Sequence, residues 1–277
     1  MEETVQSQRG HNPYGVDDTA IPARDGCDHG RGTDAGEARV TAPGRTGAGL
    51  VGRRRELALL HEQFAAAARG QAVVTLVAGD PGIGKTRLLQ SLAARAAETG
   101  ARVLRGGASE AEGMPPYLPF LEALGTHIRT APPEEVREQA GALAPVLASI
   151  LPELATKLSD LPTSYSLPPE QARLRLYEAV GVFLAAIAAP RPLVLLLDDL
   201  QWADAASLDL LCHVARTQPD ARLLILGAYR AGEVAHNRAL ERALAALNRL
   251  RTLTVVTAGP LSATEIAALA AGVLGDP

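Results

Sequence analysis

Val73-Val74-Thr75-Leu76-Val77-Ala78 runs directly into Gly79-Asp80-Pro81-Gly82-Ile83-Gly84-Lys85-Thr86, and the reading of this stretch decides the fold. Its first part is short, apolar and β-branched, the composition of a strand buried on both faces. Its second part matches G-x-x-x-x-G-K-[ST]. The glycines permit positive φ, which turns successive N–H groups inward onto an anion. Beyond Thr86, the residues Leu89, Leu92, Ala93 and Ala96 share one helical face up to Gly100. The loop therefore opens onto a helix N-terminus, where the dipole and unpaired amides favour phosphate. Lys85, one of only two lysines in the chain with Lys157, would bridge β- and γ-phosphates, and the Thr86 hydroxyl would ligate Mg²⁺. The expected nucleotide-binding residues are Gly79, Pro81, Gly82, Ile83, Gly84, Lys85, Thr86 and Arg87.

Outward from this stretch, strand-like and helix-like segments alternate. Leu57, Leu60 and Phe64 form a helical stripe that stops near Gly70, a glycine suited to end a helix. Arg102–Leu104, Leu193–Leu197, Leu223–Ala228 and Leu253–Val256 read as further strands, and 171–189, 205–217 and 238–250 as helices. Ser262-x-x-Glu265 is a capping box that announces a last helix. Alternation of this kind predicts an α/β, doubly wound parallel sheet with helices on both faces, here a P-loop NTPase fold. The stretch 108–169 breaks the rhythm and carries ten of the 19 prolines, so it reads as a helical and loop insert.

Leu193-Val194-Leu195-Leu196-Leu197 ends in Asp198-Asp199. In an open parallel sheet, ligands bind beyond the carboxyl ends of the strands. Asp198 would hold Mg²⁺ through water as a Walker B acid does, and Asp199 would orient or deprotonate an attacking water. Leu223–Ala228 likewise leads to Tyr229 and Arg230; the Arg230 guanidinium, permanently charged and forked, is a candidate sensor of the γ-phosphate. Lys85, Asp199 and Arg230 are thus the candidate catalytic groups, with Thr86 and Asp198 at the metal.

Composition closes off other classes. Hydrophobic residues make up 47% of 277 residues, enough for a full core. Aromatics at 3% argue against surfaces that stack nucleic-acid bases. A net charge of −4 disfavours a general nucleic-acid glove, and no DNA-reading helix is visible. Cys27 and Cys212 are too few for a disulfide framework, and the six histidines show no metal-ligand spacing. Cys212 reads as a buried thiol and Trp202 as a packing residue. For the run Arg53-Arg54-Arg55, contact with nucleotide phosphate or nucleic acid is the alternative to a solvated helix start, the preferred reading because the rest of the domain is not basic. Neither a membrane span nor a signal peptide is visible, so a cytoplasmic protein is expected. Residues 1–48, with eight acids, five arginines and eleven Gly or Pro, read as a disordered leader.

Taken in order, Leu50-Val51-Gly52-Arg53, Gly79–Thr86, Leu197-Asp198-Asp199-Leu200-Gln201-Trp202-Ala203-Asp204 and Gly227-Ala228-Tyr229-Arg230 resemble an AAA+-related ATPase domain of the STAND signalling class. The chain is most similar to the N-terminal ATPase domain of large LuxR-type transcriptional regulators and of some cyclase-linked proteins. That resemblance implies a five-stranded sheet of order 2-3-4-1-5. It also implies that Val51 and Gly52 line an adenine pocket, with Pro260 approaching from the far side. Such proteins act as ATP-dependent switches, with nucleotide state setting how sensor and output domains pack, and they hydrolyse slowly.

The expected organisation is an ATPase domain over 49–260 followed, at 261–277, by the first helix of a truncated lid. Ile266, Leu269 and Val273 on that helix suggest an unfilled contact surface, met by a protein partner or by sensor and output domains. Three functions stay open: a slow Mg·ATP-dependent regulatory switch, an active oligomeric ATPase of origin-recognition type, and a non-hydrolysing ATP-binding remnant.

Overall fold

A computed structural model of the chain describes residues 50–162 and 167–274, with side chains to residue 271. The leader read at 1–48 and the side chain of Val273 lie outside the described residues.

Strand β1 (Val73–Gly79) is buried along its whole length, as its β-branched composition requires. It is joined on both sides by parallel partners. β4 (Leu223–Arg230) sets Gly79 opposite Arg230, and β5 (Leu253–Thr257) pairs along the other edge. β3 (Leu193–Asp198) lies beside β4, and β2 (Arg102–Gly107) beside β3. The sheet therefore has the order β2-β3-β4-β1-β5, the arrangement anticipated from the sequence. β4 ends at Arg230, where its apolar run meets polar groups, as anticipated; β2 runs further than expected, to Gly107, because ladder pairing extends a strand past the end of its apolar pattern.

Side chains alternate across the pleat and split the core in two. On one face, Val77, Val194, Leu196, Leu224 and Leu226 meet α1 (Arg54–Ala68) and α2 (Lys85–Glu98) through Leu60, Leu88, Leu89 and Leu92. On the other face, Leu76, Leu195, Leu197 and Ile225 belong to a larger cluster. That cluster takes in α3 (Leu118–Thr130), α4 (Pro133–Ala140), the one-turn α5 (Ala144–Leu147), α6 (Pro152–Lys157), α7 (Pro169–Ala188), α8 (Ala205–Thr217) and α9 (Arg238–Arg249). The proline-rich stretch 108–169 thus holds four short α-helices, several of them started by proline at the first turn, where its missing N–H costs nothing.

Gly106 explains how α3 reaches the sheet. A Cβ placed there would stand 1.8 Å from the Pro119 carbonyl oxygen, so only glycine lets the helix backbone lie on β2. The final helix α10 (Ala263–Leu274) opens with the anticipated capping box. Ser262 N–H donates to Glu265 Oε2 at 2.8 Å, and Glu265 N–H donates back to Ser262 Oγ at 3.3 Å.

Candidate nucleotide site at the strand ends

The loop between β1 and α2 carries two left-handed glycines, Gly82 at φ 74° and Gly84 at φ 96°. A Cβ built on either meets nothing within 4 Å, so both border open space. Gly79 is a different case, since a Cβ there would lie 2.7 Å from the Ala258 carbonyl oxygen and 3.1 Å from Ile83 Cγ2. It admits the segment after β5, whose Ala258 N–H donates to the Ala78 carbonyl at 2.8 Å. Pro260, exposed two residues further on, follows from this contact. α2 begins at Lys85, directly at the end of the loop after β1, so that loop lies at a helix N-terminus.

Lys85 is 8% exposed. Its Nζ donates to the carbonyls of Gly79 at 3.1 Å and Asp80 at 3.0 Å, folding the ammonium back across the loop. Burial first, and then the positive charge of Arg230, hold its pKa below the usual lysine value, against the opposing charges of Asp199, Asp198 and Asp80. Beside it, the Thr86 hydroxyl donates to Asp198 Oδ2 at 2.7 Å, joining residues 112 positions apart. Asp198 Oδ1 accepts the Asp199 N–H at 3.0 Å. Asp199 itself sits in left-handed backbone at φ 54°, a region that Asp tolerates better than most residues.

The set of groups present fits a magnesium nucleotide. Gly82 and Gly84 border space that a side chain would partly fill, an ammonium stands at the floor, and a hydroxyl and a carboxylate converge next to it. Among the described residues no group of three or more His, Cys, Asp or Glu could by itself hold a metal ion. Thr86 and Asp198 instead supply two oxygens, and Mg²⁺ is commonly held by one or two protein groups together with phosphates and water.

Arg230 is placed at the strand end as anticipated, but its guanidinium is engaged. It pairs with Glu233 at 2.9 Å and lies 5.7 Å from the centroid of the Trp202 ring. Val51 and Gly52 are half-buried beside the start of α1. Gly52 has φ 73°, and a Cβ there would sit 2.4 Å from Glu265 Oε1, which places the cap of α10 directly against it. Pro81, Thr86 and Arg87 are exposed, and Ile83 is half-buried.

One expectation is corrected. Arg53 is not part of a solvated helix start: it is 6% exposed and in left-handed backbone at φ 60°. Its guanidinium donates to the Ile83 carbonyl in the phosphate loop at 3.0 Å and pairs with Glu56 at 2.9 Å. Its N–H donates to Glu265 Oε1 at 3.3 Å. Arg54 and Arg55 are exposed as expected. The Gly-Arg pair directly ahead of a helix was the available signal, but a run of three like charges masks which of them turns inward. Gln201, quoted above only as part of the Leu197–Asp204 run, and Asn237 were given no role of their own; both are buried or half-buried amides at the strand ends, and their distant partners reveal the role.

A five-stranded parallel sheet of order 2-3-4-1-5, a glycine loop feeding a helix after β1 and an acid at the end of β3, one strand removed across β4, define a P-loop NTPase fold. The AAA ATPase domain family matches residues 49–226, more than half of the chain, and the chain belongs to that family. An uncharacterized protein of Rhizobium meliloti (strain 1021) is 28% identical over 201 residues, which are 67% of this chain and 19% of that protein. The chain thus spans about a fifth of the length of that relative. Among solved structures, the Drosophila ORC bound to DNA is similar with a TM-score of 0.38 and 13% identity, over 78% of this chain and 99% of that one. AMPPCP-bound DnaA from Aquifex aeolicus has a TM-score of 0.39 and 14% identity, over 82% of this chain and 52% of that one. No described helix is long and apolar enough to cross a membrane.

Proposed function

We propose that this domain binds Mg·ATP, hydrolyses it slowly, and serves as a nucleotide-dependent switch in signalling or transcriptional control, as in the STAND-class regulators it resembles. The observation that carries the reading is the 2.7 Å contact between the Thr86 hydroxyl and Asp198. It brings the helix after the phosphate loop and the acid that ends β3 to one point, beside a buried lysine. Mg²⁺ would be held there by Thr86 and Asp198 and would spread the charge of the phosphate oxygens. Lys85 would exchange its loop carbonyls for β- and γ-phosphate oxygens, while the amides of Gly82 to Arg87 line the tail. Asp199 would orient the attacking water and take its proton. Val51, Gly52 and Pro260 would border the base.

Two features support a switch with slow turnover. Arg230 is committed to Glu233, and an arginine free to reach the γ-phosphate is worth about 10³–10⁵ in rate. The start of α10 is fastened to Gly52 and Arg53, and Arg53 to the loop at Ile83, so the loop and that helix are mechanically joined. Partner or output domains would act through this junction.

The test is a Mg·ATP titration followed by fluorescence of Trp202, the single tryptophan. The wild type is expected to give a saturable signal, and Lys85→Ala to bind at least about tenfold more weakly, roughly 1.4 kcal/mol. Equal affinity in the two proteins refutes the site.

A further inference from the structure

Gln201 lies in the 3-10 turn Leu200–Trp202 that follows the Walker acids, and its side chain is 3% exposed. Three of its polar groups have partners that converge on this turn. Nε2 donates to Asp199 Oδ1 at 2.7 Å. Oε1 accepts the main-chain N–H of Arg230, the last residue of β4, at 3.0 Å. Its main-chain oxygen accepts from Asn237 Nδ2 at 3.0 Å. Asn237 also donates to the Ala203 carbonyl at 3.2 Å, and its Oδ1 accepts from the N–H groups of Ala239 and Leu240 at 3.0 Å, capping α9.

These bonds restrain Asp199 at both its backbone and its side chain. Its backbone is in the left-handed region, and its N–H is taken by Asp198 Oδ1. The Gln201 donor at 2.7 Å restrains the two side-chain torsions that aim the carboxylate. A buried amide paired at both ends cannot shift without breaking one of its bonds. The carboxylate is consequently registered to the end of β4, and through Asn237 to the start of α9.

We infer that Gln201 is a positioning residue for Asp199, and that the Gln201–Asn237 contact makes the orientation of that carboxylate depend on the β4–α9 connection, residues 231–237. This rests on the ATPase reading above. It assigns to the segment after β4 a means of tuning turnover without touching the nucleotide. A partner that moved that connection would change the rate and leave affinity alone.

Gln201→Glu separates positioning from simple structure. The substitution keeps an oxygen for the Arg230 N–H but replaces the donor to Asp199 with a second carboxylate oxygen. Turnover is expected to fall at least about tenfold, while Mg·ATP affinity from Trp202 fluorescence stays within about threefold, the pattern of a group that acts only on the chemical step. Asn237→Asp keeps the α9 cap and loses the donors to residues 201 and 203; its turnover is expected to fall about threefold. Gln201→Leu combined with Asp199→Asn is expected to be no slower than Asp199→Asn alone. A crystal structure of ligand-free Gln201→Glu should show the Asp199 carboxylate turned away from residue 201. Wild-type turnover in Gln201→Glu, additive losses in the double variant, or an unmoved carboxylate overturns the proposal. So does a wild-type protein that binds Mg·ATP and never hydrolyses it. Failure of the nucleotide-site assignment shows separately, as equal affinity in wild type and Lys85→Ala, whereas failure of the positioning role alone leaves the wild type hydrolysing and Gln201→Glu unchanged.

Discussion

Arg53→Ala removes a buried cation that ties the first helix to the phosphate loop. Two bonds of the guanidinium are lost, to the Ile83 carbonyl at 3.0 Å and to Glu56 at 2.9 Å. A hydrogen bond from a charged group contributes about 1.5–3 kcal/mol, and the part-buried carbonyl left behind has no obvious replacement. Glu56 is partly exposed and rehydrates, so its share is small, about 0.5 kcal/mol. Against this, the variant no longer desolvates a guanidinium, which returns part of the loss. The net destabilisation is about 1.5–3 kcal/mol, a fall in Tm of about 3–12 °C for a domain of this size. The released Ile83 carbonyl also loosens the loop, so Mg·ATP affinity should drop alongside Tm. The assay is thermal unfolding by circular dichroism, with Arg54→Ala as control; that exposed neighbour should change stability by no more than about 0.5 kcal/mol. If both variants melt within about 1 °C of wild type, Arg53 is an ordinary surface cation and the reasoning fails.

Four other outcomes follow from the same geometry. Asp198→Asn should weaken ATP binding in the presence of Mg²⁺ but scarcely in its absence, measured by Trp202 fluorescence with and without EDTA; equal losses would separate Asp198 from the metal. Gly106→Ala pushes a methyl into the Pro119 carbonyl, and overpacking against backbone costs about 1–3 kcal/mol or more, so a wild-type urea midpoint would contradict the contact. Burial, and the charge of Arg102, hold the His127 pKa below its usual 6.5 despite the hydrogen bond to Gln139 and the charge of Glu135. The folded state then binds fewer protons than the unfolded one, so this stability is complete above about pH 6.5 and is lost as pH falls toward the folded pKa. His127→Gln should flatten urea stability between about pH 7 and 5.5, and an unchanged slope would dismiss the effect. Cys212, its thiol pushed up to about 11 by burial and by Asp209, should resist a thiol reagent at neutral pH in a Cys27→Ser background until the domain unfolds; prompt labelling would show otherwise.

The elements that a linear pattern could place are those whose neighbours in space share a short repeat with them. β1, β3 and β4 are apolar runs buried on both faces, and α2 is an apolar stripe ending at a left-handed glycine. The Ser262–Glu265 box is complete within four residues, and the phosphate loop is specified by backbone conformation, which glycine and its spacing encode directly. The resemblance to known ATPases then ordered the strands. What escaped were polar groups defined by remote partners. Arg53 meets Ile83 and Glu265 across 30 and 212 positions, and its charge gave no hint that it faces inward. Gln201 reads as one polar residue after an acidic pair, yet its meaning comes from Arg230 and Asn237, 29 and 36 positions away. The helices of the insert were blurred for a different reason. Their stripes are cut into pieces of four to thirteen residues, too brief for a 3.6-residue period to stand out.

The bond between Arg53 and Glu265 closes a ring of chain that encompasses the whole sheet. This contact, between positions so far apart, must offset the closure entropy of the whole intervening chain. It is also lightly backed, for Ile266 in the first turn of α10 remains 55% exposed. In native-state hydrogen exchange the amides of α10 should therefore trade protons through small local excursions, while those of β1 and β3 wait for global unfolding.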